Sequence, residues 1–596
     1  MMRRCGIFLF FDKDGVVDSY ICHMLRCLKP HMEHLLVVCN GYVNREGLEA
    51  LRAEADDVLC RVNLGMDVGG YREGLFYLGW DRLSQFDEVA LLNYTFFGPI
   101  YPFSEMFNEM EKRDVDFWGI TKHHRVDPDP FGVNRYGYLP EHIQSHFMVL
   151  RKNLFMSYSY KDFIFNTPNP RTYLESICEY ETIFTKHFED LGFKWDVYVN
   201  TDQYEGYSYC PIMFYTKEMM EKQRCPIIKR RSFFTDYSDF MLNSCGEPAV
   251  DAYEFIRDHT DYDTEYIWEN ILRLENLRDI HRVMHFNYML PSYDTVYESV
   301  RGQNALFLLT EHSEHLCWYK RYLREIPEYL DVFLVGTREN CAAVRAYLSD
   351  AVNARAQEIT AEDFSDYLGV LSELAPAAGN YRYVGILDIA KPEELTVQPY
   401  SNGASWQYAD FENLLGNANI IGNLLQNFEE AKRLGIVIPP MPEYGEMFAM
   451  TSADGWFGRF ENVSKLLKAW GVSVTVKKSS EALAPVGGSF WARSELLEAV
   501  RRVHETQTQE EQADRLTQLL ALPLLFQSEG FYTGTAFSEH YAPVAITNQD
   551  YMMRETNRTV FAKYGPTYHN VVVSRIREGQ ILEESEAEKW SRELAE

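Results

Sequence analysis

Short apolar runs alternating with helical patterns over the first 120 residues constrain this chain more than any other feature. Residues 7–11, 34–39, 58–62 and 88–92 read as buried strands, and 16–28, 44–53 and 71–79 as helices. That alternation predicts β-α-β units feeding a mostly parallel sheet. Such a sheet binds ligands beyond the carboxyl ends of its strands, so the loops after Val62 and Leu92 are the places to search. After about residue 275 the pattern restarts, with strands at 305–309, 331–335 and 383–387 and helices at 315–325, 339–348 and 363–374. Asp67-Val68-Gly69-Gly70-Tyr71 has a counterpart in Asp363-Phe364-Ser365-Asp366-Tyr367 with the same Asp-to-Tyr spacing, which reads as a diverged internal duplication. The expected fold class is α/β: two tandem Rossmann-like domains with mostly parallel sheets, the second one diverged. Residues 1–250 form the first domain, 251–300 a helical connector, 301–560 the second α/β domain and 561–596 a charged tail.

At 596 residues the chain exceeds what one hydrophobic core can hold. Its net charge of −30 argues against nucleic acid or an anionic membrane as the main partner, because those polyanions call for concentrated Lys and Arg. Lys229-Arg230-Arg231, followed by Ser232-Phe233-Phe234, reads either as a solvated segment or as a contact for a membrane surface or a lipid-linked phosphate. Eleven cysteines lie between Cys5 and Cys341, an odd count with no C-x-x-C pair. That pattern fits the reduced thiols of a cytosolic protein better than a disulfide framework or a structural zinc site. The apolar stretch near the amino end runs only six residues before Asp12, and no run of about 18 follows elsewhere. The expectation is a cytoplasmic protein whose membrane contact, if any, is peripheral at the inner face.

Five segments could carry chemistry. In Asn63-Leu64-Gly65-Met66-Asp67-Val68-Gly69-Gly70-Tyr71, glycines between a strand and a helix read as a structural turn or as a backbone cradle for a diphosphate. The spacing is not the dinucleotide fingerprint, which removes a dehydrogenase. Asn93-Tyr94-Thr95 stands at the end of a buried strand, where metal-dependent sugar transferases keep a carboxylate pair for a divalent cation. Here no carboxylate occurs, so the metal is absent or bound elsewhere. Asp114-Val115-Asp116-Phe117-Trp118 reads as a strand bearing two acids, and Glu141 to Phe147 as another with His142 and Gln144 on one face. Glu179-Tyr180-Glu181-Thr182, in a helix, offers a solvated acid or a general base.

Together these segments resemble the rhamnan synthesis protein F family of bacterial polysaccharide glycosyltransferases. The carrying pieces are Asn63 to Tyr71, Asn93 to Ile100, Asp116 to Thr121, His142 to Phe147 and Glu179 to Thr182. Trp406, Leu414-Leu415-Gly416, the run Gly488 to Arg493 and Gln527 through Gly534 look like the family's distal motifs. The resemblance implies a GT-A-like nucleotide-binding sheet that transfers L-rhamnose from a dTDP donor to a growing surface polysaccharide or lipid-linked glycan. It implies donor contacts at Asn63, Gly65, Asp67, Gly69, Tyr71, Asn93 and Thr95, and sugar or acceptor contacts at His142, Gln144 and Trp118. Glu181 becomes the expected base of an inverting displacement, with Glu179 and Asp116 in reserve. Where the family shows Asn-Asp, this chain has Asn93-Tyr94, which leaves Mg²⁺ or Mn²⁺ dependence open. Two rivals stand beside this reading: an inactive glycan-binding scaffold, and a transferase using another nucleotide-sugar.

Overall fold

The computed structural model describes residues 2–293, 298–312, 319–350, 352, 354–358, 364, 366–389, 402–441, 455–506 and 513–577. The chain divides into two compact units, Met1–Ile271 and Leu272–Glu596. Among the described residues no helix is long and apolar enough to cross a membrane.

The first unit contains strands β1 (Arg4–Phe10), β2 (His34–Asn40), β3 (Asp57–Arg61), β4 (Glu88–Asn93), β5 (Phe96–Phe97), β6 (Phe117–Gly119), β7 (Lys122–His123), β8 (His142–Ile143), β9 (Phe147–Arg151), β10 (Trp195–Val197) and β11 (Ile228–Lys229). Seven of them form one sheet in the order β10-β6-β9-β4-β1-β2-β3. Every neighbouring pair is parallel except the two made by β9, which runs antiparallel to both β4 and β6. Strands β1, β2 and β4 are buried at every residue, as central strands covered on both faces must be. Helix α1 (Ser19–Leu28) turns Tyr20, Ile21, Met24, Leu25 and Leu28 into the core. Asn44 caps α2 (Arg45–Glu54) by accepting the Gly47 N–H at 2.7 Å.

Helix α3 (Met66–Leu78) begins five residues before the position its apolar pattern marks. Gly69 and Gly70 therefore lie inside it. A Cβ on Gly69 would stand 2.1 Å from the Leu64 carbonyl, and one on Gly70 2.2 Å from Leu9 Cδ1. The glycines let α3 settle onto its own loop and onto β1, so Gly69 serves packing and is corrected from a donor contact.

The second unit repeats the plan. Its strands are β12 (Asn287–Leu290), β13 (Asn304–Leu309), β14 (Asp331–Gly336), β15 (Ala354–Glu358), β16 (Tyr383–Asp388), β17 (Leu434–Ile438), β18 (Phe490–Arg493) and β19 (Tyr532–Ser538), ordered β12-β19-β17-β18-β16-β13-β14-β15. Here β18 is the reversed strand, antiparallel to β16 and β17. Read from β15 to β19, the order and strand directions match those from β3 to β10. A tyrosine repeats as well. Tyr71 of α3 donates to the Ser145 carbonyl, and Tyr367, first residue of the helix Tyr367–Ala378, donates to the Gly488 carbonyl. Each carbonyl lies two residues ahead of the reversed strand.

The segment 251–300 is not helical throughout. It holds the helices Glu265–Leu274 and Leu277–Val283 and most of Pro248–His259, but β12 joins the second sheet, pairing with β19 from Asn287↔Thr535 to Leu290↔Ser538. Asp363 and residues 578–596 lie outside the described residues, whereas 561–577 belong to the helix Ala542–Arg577.

A buried ionic network pins the amino edge of the first sheet. The Arg4 guanidinium, 2% exposed, donates to Glu88 at 2.6 Å and to Glu111 at 2.8 Å, while Arg151 reaches Glu88 at 3.3 Å. Removing one partner of such a network strands a buried charge, at a cost of about 3–5 kcal/mol. Glu88→Ala is thus expected to lower the urea midpoint of the first unit by an amount equivalent to about 3–5 kcal/mol. A loss below about 1 kcal/mol would contradict this role.

Candidate functional site

At the opposite edge, β4 ends on Asn93, paired across from Leu9 of β1. The Asn93 side chain is buried and held at both ends: Nδ2 donates to Asp67 Oδ2 at 2.8 Å, and Oδ1 accepts from the Thr95 backbone at 3.1 Å and its hydroxyl at 2.7 Å. Asp67 is supplied by the first turn of α3, behind Gly65, whose φ of +77° suits a residue without a side chain. These contacts join three candidate residues from the glycine-rich turn and the β4 exit.

Because β9 is reversed, its amino end meets the carboxyl ends of the parallel strands. Ser145, two residues before β9, donates its hydroxyl to Glu181 and its carbonyl receives Tyr71 at 3.4 Å. Glu181 closes a short π-helical turn, Ile177–Glu181, that leads into the helix Thr182–Asp190. The His142 Nδ1 lies 2.7 Å from the Pro140 carbonyl, which can only accept, so that nitrogen carries hydrogen. Its Nε2 faces Glu181 Oε1 at 3.9 Å. The ring stacks on His123 with centroids 5.1 Å apart. His142 titrates below the ordinary histidine range because it is buried, with the Glu181 charge opposing that shift.

Lys229 completes the cluster from a distance of the chain that its sequence does not advertise. The antiparallel pairing of β11 with β5 sets Lys229 opposite Phe96, just past the β4 exit. The side chain is half-buried, and burial lowers its pKa against the opposing charges of Glu181, Cys210 and Asp67. Asp67 is pushed up to about 6, chiefly by burial; the Asn93 hydrogen bond and Lys229 resist that shift and Glu181 adds to it. Two carboxyl groups, an ammonium and a hydroxyl-bearing serine thus share one edge. The basic run is corrected from a solvated segment: Arg230 is buried as well and donates to Asn270 at 2.7 Å, leaving Arg231 exposed.

The other expected residues fall elsewhere. Asp116 precedes β6 and so stands at the amino edge, where its carboxylate accepts from the Lys194 backbone at 2.7 Å and from Asn153. Trp118 is wholly buried between Phe107 and Phe147, its indole donating to Glu88 at 3.4 Å, which makes it core instead of a sugar platform. Gln144 is held by Thr121 at 2.7 Å and Cys210 at 3.5 Å, not by a strand partner, because β8 stops at Ile143. Glu179 is exposed beside Cys178, and Asn63 is exposed on the loop before α3. Ser145 was not singled out by sequence as a site residue, and Lys229 entered only in a basic run read as a solvated segment or a contact for a membrane surface or lipid-linked phosphate. Ser145 lies inside a recognisable motif, whereas only the β5–β11 pairing could reveal Lys229.

Tyr94 fills the position of the usual metal-binding acid. Its ring packs on Phe10 and Phe11 and lies under the Arg230 guanidinium, and its carbonyl accepts the Tyr20 hydroxyl at 2.9 Å. Among the described residues no group of three or more His, Cys, Asp or Glu side chains is arranged to hold a metal ion.

The family model of rhamnan synthesis protein F matches residues 35–522. The chain belongs to this family. Membership supports a glycosyltransferase. Among solved structures, glycosyltransferase GlyE of Streptococcus pneumoniae TIGR4 is similar at 13% identity, covering 63% of this chain and 84% of that one with a TM-score of 0.23. The mannosyltransferase Ktr4p of S. cerevisiae is similar at 12% identity over 30% of this chain and 62% of that one, with a TM-score of 0.20. No curated protein matches.

Asp67 carries a pH signature. Its folded carboxyl titrates above the unfolded value near 3.9, so its contribution is fully present below about pH 4 and is lost as pH rises through about 6. Relative to Asp67→Asn, the parent chain should lose on the order of 1–3 kcal/mol of first-unit stability between pH 4 and 6.5. Parallel stability curves for the two proteins over that interval would contradict the assignment.

Proposed function

We propose that the first unit is an inverting glycosyltransferase centre that moves a deoxysugar, L-rhamnose from dTDP-rhamnose, onto a growing surface polysaccharide or a lipid-linked glycan. The observation that carries the reading is the cluster of Asp67, Glu181 and Lys229 around Asn93 at the carboxyl edge of a mostly parallel, GT-A-like sheet. Asn63, Gly65 and Asp67 line the nucleotide pocket, with Asp67 accepting from a donor hydroxyl. Thr95 and the Asn93 amide border the diphosphate, and Lys229 supplies the positive charge that a metal ion would otherwise bring. His142 borders the sugars.

In the transfer, the acceptor hydroxyl oxygen forms a bond to the anomeric carbon as the bond from that carbon to the diphosphate breaks. Glu181 takes the hydroxyl proton, and Ser145 and His142 hold its carboxylate in place. Lys229 balances the charge that gathers on the departing diphosphate. The chain would work in the cytoplasm, with peripheral contact at the inner membrane face where a lipid-linked acceptor is used.

Tyr94 favours a second reading, a glycan-binding scaffold without turnover, because it occupies the usual acidic position with an aromatic ring. Nucleotide binding separates the two. A nucleotide at 100 times its dissociation constant should add about 2.7 kcal/mol to the unit that binds it. With dTDP, UDP and GDP compared, dTDP is expected to raise the first-unit midpoint, and Lys229→Met to abolish the rise. Glu181→Gln should keep the rise yet lose about 10²–10⁴ in transfer rate. A response to UDP or GDP alone would change the sugar, and no response to any nucleotide would leave the scaffold.

A further inference from the structure

The edge of the second sheet that corresponds to the first site carries a different set of groups. Asp388 ends β16 and pairs across from Leu309 of β13, as Asn93 pairs across from Leu9. Its carboxylate, almost wholly buried, forms an ion pair with Arg515 at the start of the helix Arg515–Ser528, and its N–H donates to the Ser489 hydroxyl at 3.1 Å. Asp410, on the helix Asn402–Leu414, is also buried, at 3% exposure. Ser489 lies close enough to favour its charged form, yet its Oδ1 finds no partner. Folded proteins rarely leave a buried polar atom unpaired, and each such atom calls for an explanation.

Two adjacent glycines bring these groups together. A Cβ on Gly487 would stand 2.3 Å from Asp410 Oδ2, and one on Gly488 would stand 2.5 Å from Arg515 and 2.9 Å from Asp388. Tyr367 donates to the Gly488 carbonyl, and the Arg515 guanidinium lies 4.8 Å over its ring. Arg515, with 28% of its side chain exposed, is the solvent-facing member.

We propose that Asp388, Asp410, Ser489 and Arg515 form a second binding site, which holds a neutral, hydroxyl-bearing sugar residue of a glycan and not a nucleotide. The charge pattern selects the ligand. Arg515 is already matched by Asp388, so a diphosphate gains no free cation there, unlike at Lys229. Burial pushes Asp410 up to about 8, with Asp388 adding to the shift, so at neutral pH it carries hydrogen and can donate as well as accept. A sugar hydroxyl also donates and accepts, and it would satisfy the unpaired Oδ1.

Saturation-transfer NMR on the full chain tests this with methyl α-L-rhamnopyranoside, methyl β-D-glucopyranoside and methyl N-acetyl-β-D-glucosaminide as probes. At least one should give signals that fall fivefold or more in Asp410→Ala and threefold or more in Arg515→Lys. Those signals should persist in Asp67→Ala and under excess dTDP. If Asp410→Ala loses its native near-ultraviolet circular dichroism, Arg515→Lys, which keeps the charge, decides alone. Absence of signal with all three sugars overturns the proposal, as does signal that survives the second-unit substitutions. Signal lost only in Asp67→Ala would assign the sugar to the first unit and overturn it equally. Failure of nucleotide binding in the first unit leaves this outcome untouched.

Discussion

One strand running backwards fixes the chemistry of each unit. In a fully parallel sheet the carboxyl edge receives only the loops that leave strands. Reversing β9 brings the loop that enters it to the same edge, so Ser145 arrives beside Asn93 and Tyr71 can reach its carbonyl. Glu181 then has a hydroxyl to accept from, and His142 a carboxylate to face. The same reversal by β18 delivers Gly488 and Ser489 to Asp388 and Tyr367. The two units therefore share the order and direction of strands, while the groups presented at their edges differ.

Charge separates the two edges. In the first, Lys229 stands near two carboxyl groups, and among the described residues no acid approaches it within ion-pair distance. That leaves a cation whose charge is not matched by a contacting carboxylate at this edge. In the second, the cation is already neutralised by a carboxylate in contact with it. A buried pair of that kind contributes little net attraction for an outside anion, because its field is spent internally. The two edges therefore differ in the charge that each presents: a lysine beside two carboxyl groups in the first, and an arginine paired with a carboxylate in the second.

The sheet was legible where strands are buried on both faces, since β1, β2, β4, β13, β14 and β16 are short continuous apolar runs. The start of α3 was not, because Gly69 and Gly70 imitate a loop although close packing on β1 requires them inside a helix. Asp67, Asn93, Thr95, His142 and Glu181 could be picked out from their motifs, and the structure brings them to one edge. Asp116 and Trp118 share a motif with strand β6, but the motif does not show that β6 starts only at Phe117, which leaves Asp116 at its amino end, nor that Trp118 is enclosed on every side. Lys229 was hidden because a basic run resembles a solvated surface until the pairing of β11 with β5 encloses it.

Hydrogen exchange read by mass spectrometry, with and without saturating dTDP, tests the central claim most directly. The account predicts slowed exchange in residues 63–71, 93–97, 142–146 and 228–231, with residues 383–388 and 487–493 unchanged. Protection confined to the second-unit segments, or absent from both sets, would contradict a donor site at the reversed-strand edge of the first unit.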